Sequence, residues 1–207
     1  MSKVRRKISA VYSDFINEID RMERFDATNQ VNFASKHMTK SQLYQLTESI
    51  FFNVYRDFEI FIRDIFLLYC QGKRPLSGKK VESYLMPKSF VHAEDMIRSS
   101  MPFLDWTSVS VVIDRADAYL KDGFPVKIPY STNRTKLEDY KKIRNHIAHN
   151  SVQSLSQYKK VLLRYLGVIP LRAPVPGEFL LKRSITHGYI LLEFFSIIRQ
   201  LATDLVS

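Results

Sequence analysis

One cysteine stands in 207 residues, Cys70, so no intramolecular disulfide can form, and its place in an apolar helical run makes a buried, inert thiol the expected reading. That favours a reducing compartment. No stretch approaches ~18 uncharged apolar residues, and the apolar positions after the basic start are interrupted by Asp14, Glu18 and Asp20, which argues against a spanning helix and an export signal. The expectation is a cytoplasmic protein without membrane contact. Missing too are a zinc-ligand pattern, a phosphate loop, a dinucleotide fingerprint and a serine elbow, and Ser184 and Ser196 have no motif around them. His37, His92 and His187 lie far apart without ligand spacing, while His146 and His149 have no nearby Cys or carboxylate to complete a metal site. Neither a cofactor nor a metal is expected. Internal repeats and low-complexity segments are also lacking.

What is present is apolar and aromatic: 45% hydrophobic residues, with 14 Phe and 11 Tyr, is too much for a disordered chain. The length suits a single domain, residues 1–207, able to bury a core of its own. A net charge of +10 favours polyanionic partners, because clustered Lys and Arg gain affinity by releasing counterions from phosphate backbones. Charge alone does not choose between nucleic acid, an anionic membrane and an acidic protein. The one local cluster, Lys3, Arg5, Arg6 and Lys7, is of a kind that more often forms a solvated helix face.

Apolar positions Val4, Ile8, Val11, Phe15, Ile19 and Met22 recur at steps of three and four, which predicts an amphipathic helix from Val4 to Phe25, followed by a connector over Asp26 to Lys40. Thr39 and Gln42 form a capping box for a second helix, whose stripe runs from Leu43 through Ile50, Phe58 and Ile65 to Leu68, before Gly72. It is nearly apolar all round, so it is expected at the centre. Prolines and glycines break residues 73–135 into an irregular insertion with short helices near Ser89–Ser99 and Trp106–Lys121. Thr135 with Glu138 caps a helix through Leu137, Tyr140, Ile143 and Ile147 to His149 or Asn150. A short helix over Leu155–Tyr165, a loop over Gly167–Gly177, an extended piece at Phe179–Lys182 and a terminal helix from Ile185 through Leu205 complete the reading. The fold class expected is all-α, an up-and-down bundle of about five main helices.

On the helix ending at His149, Leu137, Tyr140, Ile143, Ile147 and Ala148 share a face at about 100° per residue, and Arg144 falls near its middle. A buried guanidinium costs several kcal/mol unless a carboxylate or phosphate answers it, so Arg144 needs a protein partner or a ligand. Glu59, interrupting the second helix, is the internal candidate, although Arg63 at i+4 and Arg56 at i−3 can satisfy it locally. Asn145 and His149, four apart, share a neighbouring face, with Lys142 and His146 beside them. The plain structural alternatives are a helix-pairing salt bridge for Arg144 and simple helix termination for His149 and Asn150.

Arg144-Asn145-x-x-x-His149 resembles the Arg-x4-His signature of the HEPN superfamily, and Phe58-Glu59-x-Phe61-Ile62-Arg63-Asp64 resembles the second helix of that group. Glu59-x-x-x-Arg63 is similar to an acidic–basic pair of several toxin families, and the likeness is greatest to RiboL-PSP-HEPN-like proteins of bacterial conflict systems. It covers roughly residues 4–166. It implies a helical bundle that dimerises so that two Arg/His motifs meet in one cleft, often as a metal-independent endoribonuclease. Arg144, Asn145 and His149 are then the catalytic residues, Glu59, Arg63 and His146 supporting candidates, and Lys141 and Lys142 RNA contacts.

Metal-free cleavage uses the RNA's own 2′-hydroxyl against the adjacent phosphorus, and it needs proton removal, proton donation to the leaving 5′-oxygen and stabilisation of a pentacoordinate dianion. Histidine moves protons near neutral pH and the arginine fork bridges two phosphate oxygens. One histidine per chain must serve two transfers, so a second His149 from a dimer, or else His146, joins. Arg144 and His149 diverge by about 140° on an ideal helix, so either the helix ends between them or Arg144 reaches round. The expected partners are RNA (tRNA or mRNA), a second copy, and an antitoxin or other defence-system subunit for which Tyr189, Phe194 and Phe195 offer a docking surface. The alternative is a non-catalytic module that binds nucleotide, RNA or protein.

Overall fold

The computed structural model describes residues 6–99, 104–184 and 188–207, and every regular element among them is helical, so the chain is all-α as its periodicity predicts. Lys3, Val4, Arg5, Pro102, Ile185 and His187 lie outside the described residues. The helices are α1 Ile8–Ala34, α2 Lys40–Cys70, α3 Phe90–Arg98, α4 Val109–Tyr119, α5 Lys127–Thr132, α6 Arg134–His149, α7 Val152–Leu166, α8 Pro176–Leu180 and α9 Ile190–Val206.

The first difference from the sequence reading is that α1 continues through most of the expected connector. Met22, Asp26 and Asn29 are all buried, at steps of four and three, so polar residues take over the inward positions and the apolar signal fades while the helix persists. Asp26 accepts from the Tyr189 hydroxyl and, at 3.4 Å, from the Gln30 amide. Helix α2 begins where the capping box put it: Thr39 N–H donates to Gln42 Oε1 at 2.8 Å, and Gln42 N–H returns to Thr39 Oγ1 at 3.3 Å. It stops before Gly72, whose φ of +72° suits glycine.

Helices α3 and α4 fall within the two short segments expected in the insertion. Helix α5 forms where Pro129 signals a break, because proline at the third helical position removes no intrahelical hydrogen bond. Helix α6 opens at Arg134, so Thr135 lies inside it and is not its cap. Helix α7 starts three residues earlier than Leu155, behind a Ser151–Ser154 capping box, and closes on Gly167 at φ +70°. Helix α8 occupies part of the segment read as extended, Phe179 and Leu180 being helical; a helix this short carries no periodic signal.

The chain forms two compact units, each assembled from separated segments: Met1–Asn17, Asp57–Arg134 and Arg199–Ser207 in the first, Glu18–Arg56 and Thr135–Ile198 in the second. In the first, residues 64–70 of α2 are buried without a gap, so this stretch is enclosed on every side as its all-round apolar character requires. Phe15 stacks on Phe61 at 4.7 Å, and Phe66 meets Trp106 at 5.3 Å, with the Arg115 guanidinium 4.7 Å from the indole. Each fully buried aromatic of this kind contributes roughly 1.5–3 kcal/mol of transfer free energy. Burial pushes the Cys70 thiol up to about 12, which makes it a poor nucleophile.

The second unit is organised on Phe51, Tyr140 and Phe194, with ring centroids 4.5 Å (Phe51–Phe194) and 4.9 Å (Tyr140–Phe194) apart. Phe194 and Phe195 are fully buried, so they serve this core and not a docking surface. Gly177 is where two backbones meet: a Cβ there would lie 2.1 Å from the Tyr44 carbonyl oxygen, and its N–H donates to Glu48 Oε1 at 2.8 Å.

Candidate functional site

Helix α6 changes character along its length. In its first half two charges, Lys136 and Asp139, are answered within the second unit. Lys136 pairs with Glu193, which is 5% exposed, and its ammonium also reaches the Tyr165 hydroxyl at 3.0 Å; Ser184 Oγ donates to the same carboxylate. Burial alone would lower the Lys136 ammonium, but the hydrogen bonds to Glu193 and Tyr165 outweigh it and the net direction is upward. Asp139 is completely buried and accepts from Arg164 at 2.8 Å and Lys142 at 3.4 Å. Burial raises its carboxyl, against the downward pull of the two cations.

The last two turns are different. Leu137, Tyr140 and Ile143 are buried as expected, but the inward position after them is taken by His146, and Arg144 lies half-buried at the edge of that face instead of at its middle. Its guanidinium is 5.3 Å from the Phe52 ring, and its Nη1 donates to Asn145 Oδ1 at 3.2 Å. Helix α6 runs unbroken to His149, so it does not end between the two motif residues; the arginine head turns toward Asn145, the residue that shares a face with His149. His149 is exposed, and the helix ends on Asn150 at φ +41°, whose N–H donates to the His146 carbonyl at 3.0 Å.

His146 turns toward α7. Its Nδ1 lies 3.1 Å from Ser154 Oγ and its ring stacks on Tyr158 at 4.9 Å. Ser154 Oγ already accepts from the Ser151 N–H and donates to the Ser151 carbonyl, both at 2.9 Å, so Nδ1 must carry the proton in this contact. Burial holds the imidazole below the usual histidine range. It joins two helices rather than facing a ligand.

Beside the end of α6, an open groove of about 420 Å³ is lined by Gln45, Glu48, Ser49, Phe52 and Asn53 of α2 and by Ile147 and Ala148. Ile147 and Ala148 therefore face this groove and do not continue the buried stripe. Burial raises the Glu48 carboxyl even though the Gly177 N–H pulls it down. No protein-family model, no curated protein and no solved structure matches the chain.

The motif residues thus fall into two kinds. Arg144 and Asn145 meet each other, the arginine head lying near Phe52 of the groove wall, and exposed His149 follows Ala148 of that wall in sequence, although none of these three lines the groove itself. His146 and Lys142 are engaged with Ser154 and Asp139. Lys141 is half-buried. Glu59 and Arg63 belong to the first unit, where Arg63 pairs with Asp64 at 2.8 Å. The groove wall on α2 was not singled out from sequence. Its signal is Gln45, Ser49 and Asn53, polar residues at strict steps of four inside an apolar helix.

Proposed function

We propose that the chain is a metal-independent endoribonuclease of the HEPN type, a toxin or antiviral effector that cleaves RNA, tRNA or mRNA, by attack of the 2′-hydroxyl on the adjacent phosphorus. The observation that carries this reading is the exposed His149 imidazole at the end of α6, one residue past a groove beside which Arg144 and Asn145 are held together. His149 takes the 2′-hydroxyl proton, and Arg144 steadies the equatorial phosphate oxygens through its fork. Because α6 is continuous, Arg144 and His149 diverge by about 140° within one chain, so the site is completed by a second copy whose His149 protonates the 5′-oxygen. His146, buried and committed to Ser154, is the weaker candidate for that second transfer.

The test is incubation of the purified chain with single-stranded RNA in excess EDTA. The expected products carry 2′,3′-cyclic phosphate ends and the active species is a dimer; dependence on a divalent ion contradicts the mechanism. A second reading, a module that binds RNA without cutting it, is favoured by the same unbroken helix. It predicts ligand-induced stabilisation with intact RNA.

A further inference from the structure

The first unit holds a second cavity, of about 970 Å³, at the upper end of the size range of small-ligand sites, roughly 300–1,000 Å³. Its lining includes four cations, Arg6, Arg63, Lys73 and Lys88, against one carboxylate, Glu94. Glu94 is answered by Arg98 at 3.3 Å. Asp64, 6% exposed, takes Nε and Nη2 of Arg63 at 2.9 and 2.8 Å and pairs with Arg6 through its other oxygen, so one buried carboxylate fixes two guanidiniums in place and leaves one positive charge over. Among the described residues neither Lys73 nor Lys88 makes an ion pair.

The cations frame an apolar wall. The Arg6 guanidinium is 5.2 Å from the Phe90 ring, with Leu68 and Pro87 also in the lining. Phe90 and Val91 open α3, whose first N–H groups point out of the helix, with the Ser89 hydroxyl accepting only that of His92, at 3.1 Å. Two anchored guanidiniums and two unpaired lysines around an aromatic ring match a group that is doubly anionic at one end and flat and apolar at the other.

We propose that this cleft binds a nucleotide phosphate, with the phosphate oxygens on Arg6, Lys73 and Lys88 and the base against Phe90. The source is either a free nucleoside monophosphate or the 5′ end of a single-stranded RNA. None of the residues around it belongs to α6, and its test does not depend on cleavage.

Adenosine 5′-monophosphate and a 5′-phosphorylated RNA of about 12 nucleotides serve as the two probes, at about 0.15 M salt. They are titrated into the full chain carrying His149→Ala, which leaves the RNA intact. Lys73→Glu with Lys88→Glu is expected to weaken at least one probe about tenfold or more, whereas the same charge change at exposed Lys36 and Arg172, both to Glu, changes it less than about twofold. Loss for the mononucleotide identifies a free-nucleotide site; loss for the RNA alone identifies a polynucleotide contact. On the chain with Lys73 and Lys88 intact, either probe should also protect these two lysines from acylation, a readout that needs no substituted lysine. Failure of both probes to bind, or equal weakening by the two double substitutions without lysine protection, overturns the proposal.

Discussion

The two halves of α6 use the same residue types to opposite ends. In the first half, Lys136, Asp139 and their partners Glu193 and Arg164 form ion pairs whose carboxylates are buried, closed within the second unit. In the last turn, an exposed imidazole stands next to an open groove. Even the two histidines, three residues apart, divide this way: His146 is buried, stacked and hydrogen-bonded, whereas His149 faces solvent. A helix that secures these inward charges so fully, yet ends on an imidazole exposed to solvent, separates residues held within the fold from one that is open at the surface.

If that division is right, substitutions in the two halves fail in different ways. Arg144→Lys keeps the charge but loses the two-pronged donor, and is expected to slow RNA cleavage by roughly 10²–10³ with a small change in unfolding midpoint. Lys136→Met strips Glu193 of its cation and is expected to cost about 2 kcal/mol in urea unfolding, less than a fully buried pair would because Lys136 is 40% exposed, while cleavage per folded molecule is unchanged. A reversal of these two outcomes would break the comparison.

His146→Gln sharpens it through pH. Burial lowers the folded imidazole's affinity for a proton, so as pH falls through the ordinary histidine value of 6.5 the unfolded chain protonates first and stability is lost; above that value the contribution is flat. Gln keeps a nitrogen donor for Ser154, and its unfolding midpoint should fall less than that of the unaltered chain between about pH 7.5 and 5.5. The smallest effect is at the cap. Asn150→Gly relieves a left-handed residue at φ +41° and should stabilise by about 0.5 kcal/mol, without altering cleavage.

Helix type and most boundaries were legible because the apolar steps of α2 and the Thr39–Gln42 box are local signals. The end of α1 was not, since Asp26 and Asn29 occupy inward positions where only the partner Tyr189, far along the chain, explains a carboxylate. Helices α5 and α8 are too short for periodicity to register. Within the candidate site, the residues of the Arg-x4-His segment were legible as a group, but their environments were not. Sequence spacing placed His146 with the polar edge and Arg144 at mid-face, whereas the packing of α7 buries the first and leaves the second at the edge of the groove.

The most direct measurement is the rate of single-stranded RNA cleavage in excess EDTA by the unaltered chain and by His149→Ala, each with its unfolding midpoint. The account predicts at least about a hundredfold loss of rate at an unchanged midpoint, the share that a general acid–base residue supplies. Equal rates for the two proteins would contradict it.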